Sequence, residues 1–488
     1  MPKTFEEKAT TVVNTFESCN RDQQNEILIK LLLKCQPLQL RFLYAELKPL
    51  LAVDFVAYLP KELTEKIFFY LDAKDLCRIA CCNKLWRERS NHDPVWQTLC
   101  KRKGWLRYGS DADLSAERPF SPDVITSISN TSPTYIPPNS VQSLVPICKW
   151  KDVYMRAHHL DINWATGKYT VTPLLKGHKE QISSLDSDGK ILVSGSQDRT
   201  ARVWDLHSLQ CLHILDGHTE YVTCLKLKGN IVVTGCSDGI VRAYDVKTGR
   251  CLKKLQGHTS GVECLCFDGQ TIVSAANDKT VRVWLYHSGK CQHVLRGHQD
   301  DIEFLCMYKD MAVSASWDET LKLWNLKKGI CVHTLRGHTE VVYCCQFDKD
   351  MIVSGGGDNH IKIWDTETGY CRQTLMGHTG EVYCMKYNSE VIASGSADST
   401  VRLWNHQGIC INVMREHIGV VRCLCLYGPR LITGGDRKKI VVWDAKTGEK
   451  LNVVHRNPSL LHKMWVNDTK LVTASPESPG AMTVISFW

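Results

Sequence analysis

An all-β propeller behind an all-α amino-terminal region is the architecture that this 488-residue sequence predicts. Three observations carry the prediction. A unit of 40 residues recurs through the carboxy-terminal two thirds of the chain. Each unit is built of short, β-branched runs divided by turn residues. The first hundred residues instead place their leucines at helical spacing.

The helical part comes first. In residues 1–50, Asn20 with Gln23 loosely resembles a capping box, and Ile27, Leu28, Leu31 and Leu32 share one helix face. Leu40, Leu43, Tyr44 and Leu47 mark a second helix. Two short helices cannot bury this much leucine alone, so they pack on a neighbouring domain or pair with a second copy of the chain. Both readings stand. In residues 51–103, Pro60 within Leu59-Pro60-Lys61 sits where a first helical turn needs no N–H, and Leu63, Ile67 and Leu71 form one stripe. Asp72 to Asp75 break the chain to a helix with Leu76, Ile79 and Ala80, followed by Lys84-Leu85-Trp86-Arg87 and Pro94-Val95-Trp96-Gln97. Residues 104–168 begin as a Ser/Thr/Pro-rich linker containing Ser121-Pro122 and Ser132-Pro133, and end in a helix from Trp150 to Trp164 that leads into the propeller.

The repeats fill residues 169–488. Gly-His pairs at His178, His218, His258, His298, His338 and His378 step by 40, and Glu416-His417 follows one residue short. Each is answered by an aromatic: Trp204, Tyr244, Trp284, Trp324, Trp364, Trp404 and Trp443. Between them lie a Ser or Thr and a turn Asp, such as Ser274 with Asp278. After Asp444 a degenerate eighth unit still reads as strands. Tyr169 to Leu175 would supply its outer strand, where Pro173 is tolerated. Eight blades follow, with seven as the alternative.

Composition narrows the function classes. Hydrophobic residues are 43%, charged residues 23%, and the net charge of +8 is mild for this length. No apolar run is long enough to span a membrane, the first residues carry no apolar signal core, and no long basic run suggests nucleic acid. The 23 cysteines are odd in number and scattered, and Cys211, Cys251, Cys291, Cys331 and Cys371 merely follow the repeat. With no paired C-x-x-C at zinc spacing, they read as small apolar residues in a reducing compartment, cytoplasm or nucleus, and no metal or other cofactor is expected. No phosphate-binding loop, G-x-S-x-G elbow or Cys–His pair stands apart from the repeats, so no catalytic residue is assigned.

The forty-residue units resemble the WD-repeat family. The resemblance implies that His, Asp, Ser or Thr and Trp form a buried network within each blade. The order Leu-Pro, apolar helix, Leu-Asp-x-x-Asp-Leu, Cys-x-x-x-Trp and Val-Trp over 55–103 resembles an F-box, a three-helix module that docks on the Skp-type adaptor of a cullin–RING ubiquitin ligase. Together they resemble the F-box/WD group that includes Archipelago. This implies a non-catalytic, substrate-recognition subunit of an SCF-type ligase that docks through Leu59, Pro60, Leu63, Ile67, Leu71, Leu76 and Trp96. A scaffold propeller without ubiquitin transfer is the alternative.

Clients would bind where the loops entering the innermost strands gather. In Archipelago-like proteins, arginines there in the third and fourth repeats grip a phosphorylated degron. This sequence departs from that pattern: the matching positions hold Glu263, Asn277 and Glu303, which would repel phosphate. Further round the ring come Trp317, Tyr343, Tyr383, Arg422 and, in place of a turn Asp, Arg437 beside Lys438. The expectation is a polarised client, phosphorylated or otherwise acidic toward Arg422 and Arg437, basic toward Glu263 and Glu303.

Overall fold

The computed structural model describes residues 4–50, 54–109, 148–172, 175–436, 439–455, 461, 463–474 and 480–488. The linker serines Ser121 and Ser132, and Pro173, Arg437 and Lys438, lie outside the described residues. The chain forms two compact units, one holding the described residues to 109 with 148–154, the other 155–488.

The first unit is helical. Phe5–Glu17, Arg21–Leu32 and Pro37–Leu50 come first. The Asn20 box forms: its side chain accepts from the Gln23 N–H at 3.0 Å, and Gln23 accepts from the Asn20 N–H at 3.1 Å. No side chain of the first two helices is buried. Next come Phe55–Tyr58, Lys61–Phe68, Ala73–Ile79, Lys84–Ser90 and Asp93–Arg102. Pro60 is the residue that caps Lys61–Phe68 rather than part of its first turn. Asp72 caps Ala73–Ile79, accepting from the Asp75 N–H at 2.7 Å. The core is Val56, Phe68, Leu76, Val95, Trp96 and Leu99. Of the expected Leu63–Ile67–Leu71 stripe, only the half-buried Leu71 packs against it. Thr64 and Phe68 face it from the helix, which ends before Leu71.

The second unit is a propeller of eight antiparallel sheets. Its innermost strands are Ile182–Ser187, Val222–Lys228, Val262–Phe267, Ile302–Tyr308, Val342–Phe347, Val382–Tyr387, Val421–Tyr427 and Lys463–Val466, which number blades one to eight. Neighbouring blades sandwich the second strands, so Val391–Ser396 is buried at every residue. At the rim, a side chain of one outermost strand reaches a turn carbonyl of the next blade: His213 to Lys247 at 2.8 Å, His333 to Glu367 at 2.8 Å, and Asn412 to Thr447 at 3.0 Å.

Blade eight closes the ring. Lys463–Val466, Lys470–Ala474 and Ala481–Ser486 come from one end of the repeat region, and Thr170–Val171 with Leu175–Lys176 supply the outermost strand from the other. Within this unit, Trp164 stacks on Phe487 with ring centroids 3.5 Å apart and donates its indole N–H to the Asp468 carbonyl at 2.7 Å. Asn163 donates to the Phe487 carbonyl at 2.8 Å.

The expected buried network is complete in blades one, three, four, five and six. In blade three His258 bonds Asp278 and Ser274, each at 2.8 Å, and Trp284 donates to Ser274 at 2.8 Å. Blade two differs. Arg242 takes Asp238 at 2.7 Å, and Tyr244 donates to the Asp216 carbonyl, leaving His218 Nδ1 buried without a partner. In blade seven His417 Nδ1 is likewise without one among the described residues.

Candidate functional site

The chemistry gathers at one mouth of the central channel. Pairing between first and second strands slips one residue after the apolar opener in each of blades one to seven: between Val262 and Cys264, Ile302 and Phe304, Val342 and Cys344, Val382 and Cys384, and Val421 and Cys423, for example. The unpaired residue is in turn Glu263, Glu303, Tyr343, Tyr383 and Arg422. A bulge frees its residue from the ladder and re-aims the side chain. The seven-fold bulge is therefore what presents the positions that the spacing singles out.

Those positions meet their partners before the turn Asp. Glu263 accepts from the Asn277 amide at 3.0 Å, Glu303 from the Trp317 indole N–H at 3.0 Å, and Arg422 Nε donates to Asp436 at 3.2 Å. Gly357 and Ala397 leave room beside Tyr343 and Tyr383, whose ring centroids lie 5.0 Å apart. Tyr383 donates to Glu381 at 2.5 Å, and the Arg422 guanidinium lies 5.8 Å from its ring centroid. On blades one and two the bulged Ser183 and Thr223 turn inward to carbonyls of their own and the next blade. The presented surface is thus an arc over blades three to seven, with Trp317 51% exposed near its centre.

Among the described residues the arc is rich in carboxylates. Burial pushes the Glu263 carboxyl up, and the nearby Glu303 and Asp301 add to the shift. The Tyr343 hydroxyl is raised by burial and by Glu381, Glu303 and Glu340. The hydrogen bond to Glu381, with burial, takes Tyr383 up to about 12. Of the anticipated basic pole, Arg437 and Lys438 lie outside the described residues, and Arg422 meets Asp436 and the Tyr383 ring. Among the described residues, no group of His, Cys, Asp and Glu could hold a metal ion.

The helical unit presents a second surface. Leu63 and Ile67 are exposed together with Pro60, while Leu59 and Leu71 are half-buried. Leu76 and Trp96 are buried in the unit's own core, with the Trp96 indole N–H on the Ser90 carbonyl at 2.8 Å, so neither faces outward. Sequence reasoning passed over Tyr58 and Tyr70, 80% and 87% exposed at either end of this helix. The aromatic flanks of the Leu-Pro pair were the available signal.

Residues 56–102 match the family model described as F-box-like. Six segments match the WD domain, G-beta repeat: 168–205, 209–245, 249–284, 289–325, 329–365 and 369–405. The chain is an F-box/WD-repeat protein. Its propeller continues past the matched repeats with blades seven and eight. Among curated relatives, it is 28% identical over 201 residues to a probable E3 ubiquitin ligase complex SCF subunit sconB of Arthroderma benhamiae, covering 40% of this chain and 29% of that protein. It is 34% identical over 187 residues to F-box/WD repeat-containing protein 7 of Drosophila melanogaster, covering 38% of this chain and 12% of that protein. The matched region thus spans less than a third of the length of either relative. Among solved structures, the computationally designed protein Ika8 superposes with a TM-score of 0.60 at 32% identity, over 64% of this chain and 97% of that one.

Proposed function

We propose that this protein is the substrate-recognition subunit of an SCF-type ubiquitin ligase. The F-box docks on a Skp-family adaptor, the propeller mouth holds a client protein, and the chain does no chemistry itself. Such a subunit works by proximity, raising the client's effective concentration beside the thioester that transfers ubiquitin. The observation that carries this reading is the Leu63–Ile67 face. It lies within an F-box-like module, is exposed, and is not needed for that module's core.

Co-purification with a Skp-family adaptor tests it. Leu63→Asp combined with Ile67→Asp is expected to abolish adaptor capture without lowering the melting temperature. Undiminished capture would overturn the docking surface, and no capture by the wild-type chain would overturn the ligase reading.

The exposed leucines of the first helices support the homodimer over packing on a neighbouring domain, since none of those side chains is buried. Light scattering before and after Leu28→Asp and Leu31→Asp reads this directly, and an unchanged mass would refute it. The free thiols suit a reducing compartment, so we place the protein in the cytoplasm or nucleus.

A further inference from the structure

We infer that the client element held at the channel mouth is cationic: a lysine or arginine of an extended segment, lodged against Trp317 between Glu263 and Glu303. This rests on the substrate-receptor reading and names the chemistry its site selects.

Three independent features of the mouth converge on a cation. The first is uncompensated charge. Glu263, Asp301, Glu303, Glu340 and Glu381 lie close enough to perturb one another or the tyrosines between them. None of the five has an ion-pair partner among the described residues. The nearby Lys279 spends its charge on Asp300 at 3.6 Å. Glu263 is half-buried, and a carboxylate drawn out of water without a counter-ion is costly; an incoming ammonium or guanidinium supplies that counter-ion.

The second feature is aromatic. Trp317 is half exposed, and its indole edge is fixed by Glu303, so the ring is held in place before any client arrives. An immobilised indole suits the alkyl stem and charged head of Lys or Arg. A phosphate gains nothing from that face. The third is the state of Arg422, the one cation at these loop positions among the described residues. Its Nε donates to Asp436 and its guanidinium lies near the Tyr383 ring, so Asp436 offsets part of its pull on an anion.

Fluorescence anisotropy of the full chain with its adaptor tests the inference, using short labelled Gly/Ser peptides. One carries two Arg-Lys pairs, a second Gln in their place, and a third two phosphoserines. The basic peptide is expected to bind at least about ten-fold more tightly than the other two. Glu263→Gln with Glu303→Gln, which preserves side-chain size, is expected to weaken it by about ten-fold, and Trp317→Ala by a similar factor. The control Asp350→Asn with Glu390→Gln removes the same charge from first-to-second-strand turns and should leave binding unchanged. Tightest binding of the phosphopeptide, equal loss in the control, no effect of the glutamate pair, or no binding of the basic peptide would each overturn the inference. Adaptor capture, scored on the same samples, separates the two claims. If it persists while basic-peptide binding fails, the ligase reading stands and only the cationic client is lost.

Discussion

Within each intact blade one serine hydroxyl serves two buried groups, accepting from a tryptophan indole and bonding a histidine whose other nitrogen reaches an aspartate. Ser274→Ala strands both the Trp284 N–H and His258 Nε2. Urea unfolding should show a loss of about 1–3 kcal/mol, the range for buried groups deprived of partners. A loss within experimental error would mean the network is decoration. Blades two and seven supply a pH response. Burial, aided by Arg242 in one case and Lys439 in the other, holds His218 and His417 down at about 4. The unfolded imidazole titrates near ~6.5, so between these values the unfolded chain binds more protons. Stability is therefore complete above about 6.5 and drains as pH falls toward 4. In blade six, burial works against ionisation of Asp398, but bonds from Thr400 and His378 outweigh it and hold the carboxyl down at about 2. Its contribution is lost only below about 4, the unfolded carboxylate range. The urea midpoint should thus be lower at pH 5 than at pH 7.5 with an unchanged slope, and the difference should shrink in His417→Gln. Equal midpoints at the two values would refute the argument.

At the scale of elements, ring closure concentrates the risk. Blade eight is held by a strand only two residues long at Thr170–Val171, another at Leu175–Lys176, and the end of the helix Lys149–Thr166. Such short ladders contribute little alone. The Trp164 stack on Phe487 and its bond to Asp468 secure what the strands do not. Trp164→Ala should cost about 3–5 kcal/mol, as large aromatic truncations in cores do, and calorimetry should show the propeller transition moving down. An unmoved transition would mean that the strands alone close the ring. The same scale explains the mouth. The forty-residue period and the alternation within each unit located Glu263, Glu303, Trp317, Tyr343, Tyr383 and Arg422. That they form one arc, and that Arg422 meets Asp436, depends on bulges and on approaches between neighbouring blades. No local pattern encodes either.

For the whole molecule, the cysteines divide by place in the ring. All 23 are free thiols. On innermost strands, burial drives Cys224, Cys266 and Cys344 up to about 12, so they stay protonated and unreactive at neutral pH. Cys211, Cys251, Cys331 and Cys371 lie exposed on outermost strands. Mass spectrometry after brief treatment with a disulfide reagent should find the outer set labelled and the inner set untouched until urea is added. Early labelling of Cys344 would show that the ring opens in the native state.

The repeat, the blade network, the closing strand and the order of helices could be read from the chain, because each is a periodicity or a cap that acts over a few residues. Strand alternation and hydrogen-bonding residue types are local quantities, and the fold repeats them. The tertiary structure alone decided which side chains face out. Leu76 and Trp96 became core while Leu63 and Ile67 became surface, because burial depends on what packs against a helix, and that neighbour is distant in sequence. It also decided which charges at the mouth meet. Arg422 meets Asp436, fourteen residues away and brought back by a turn.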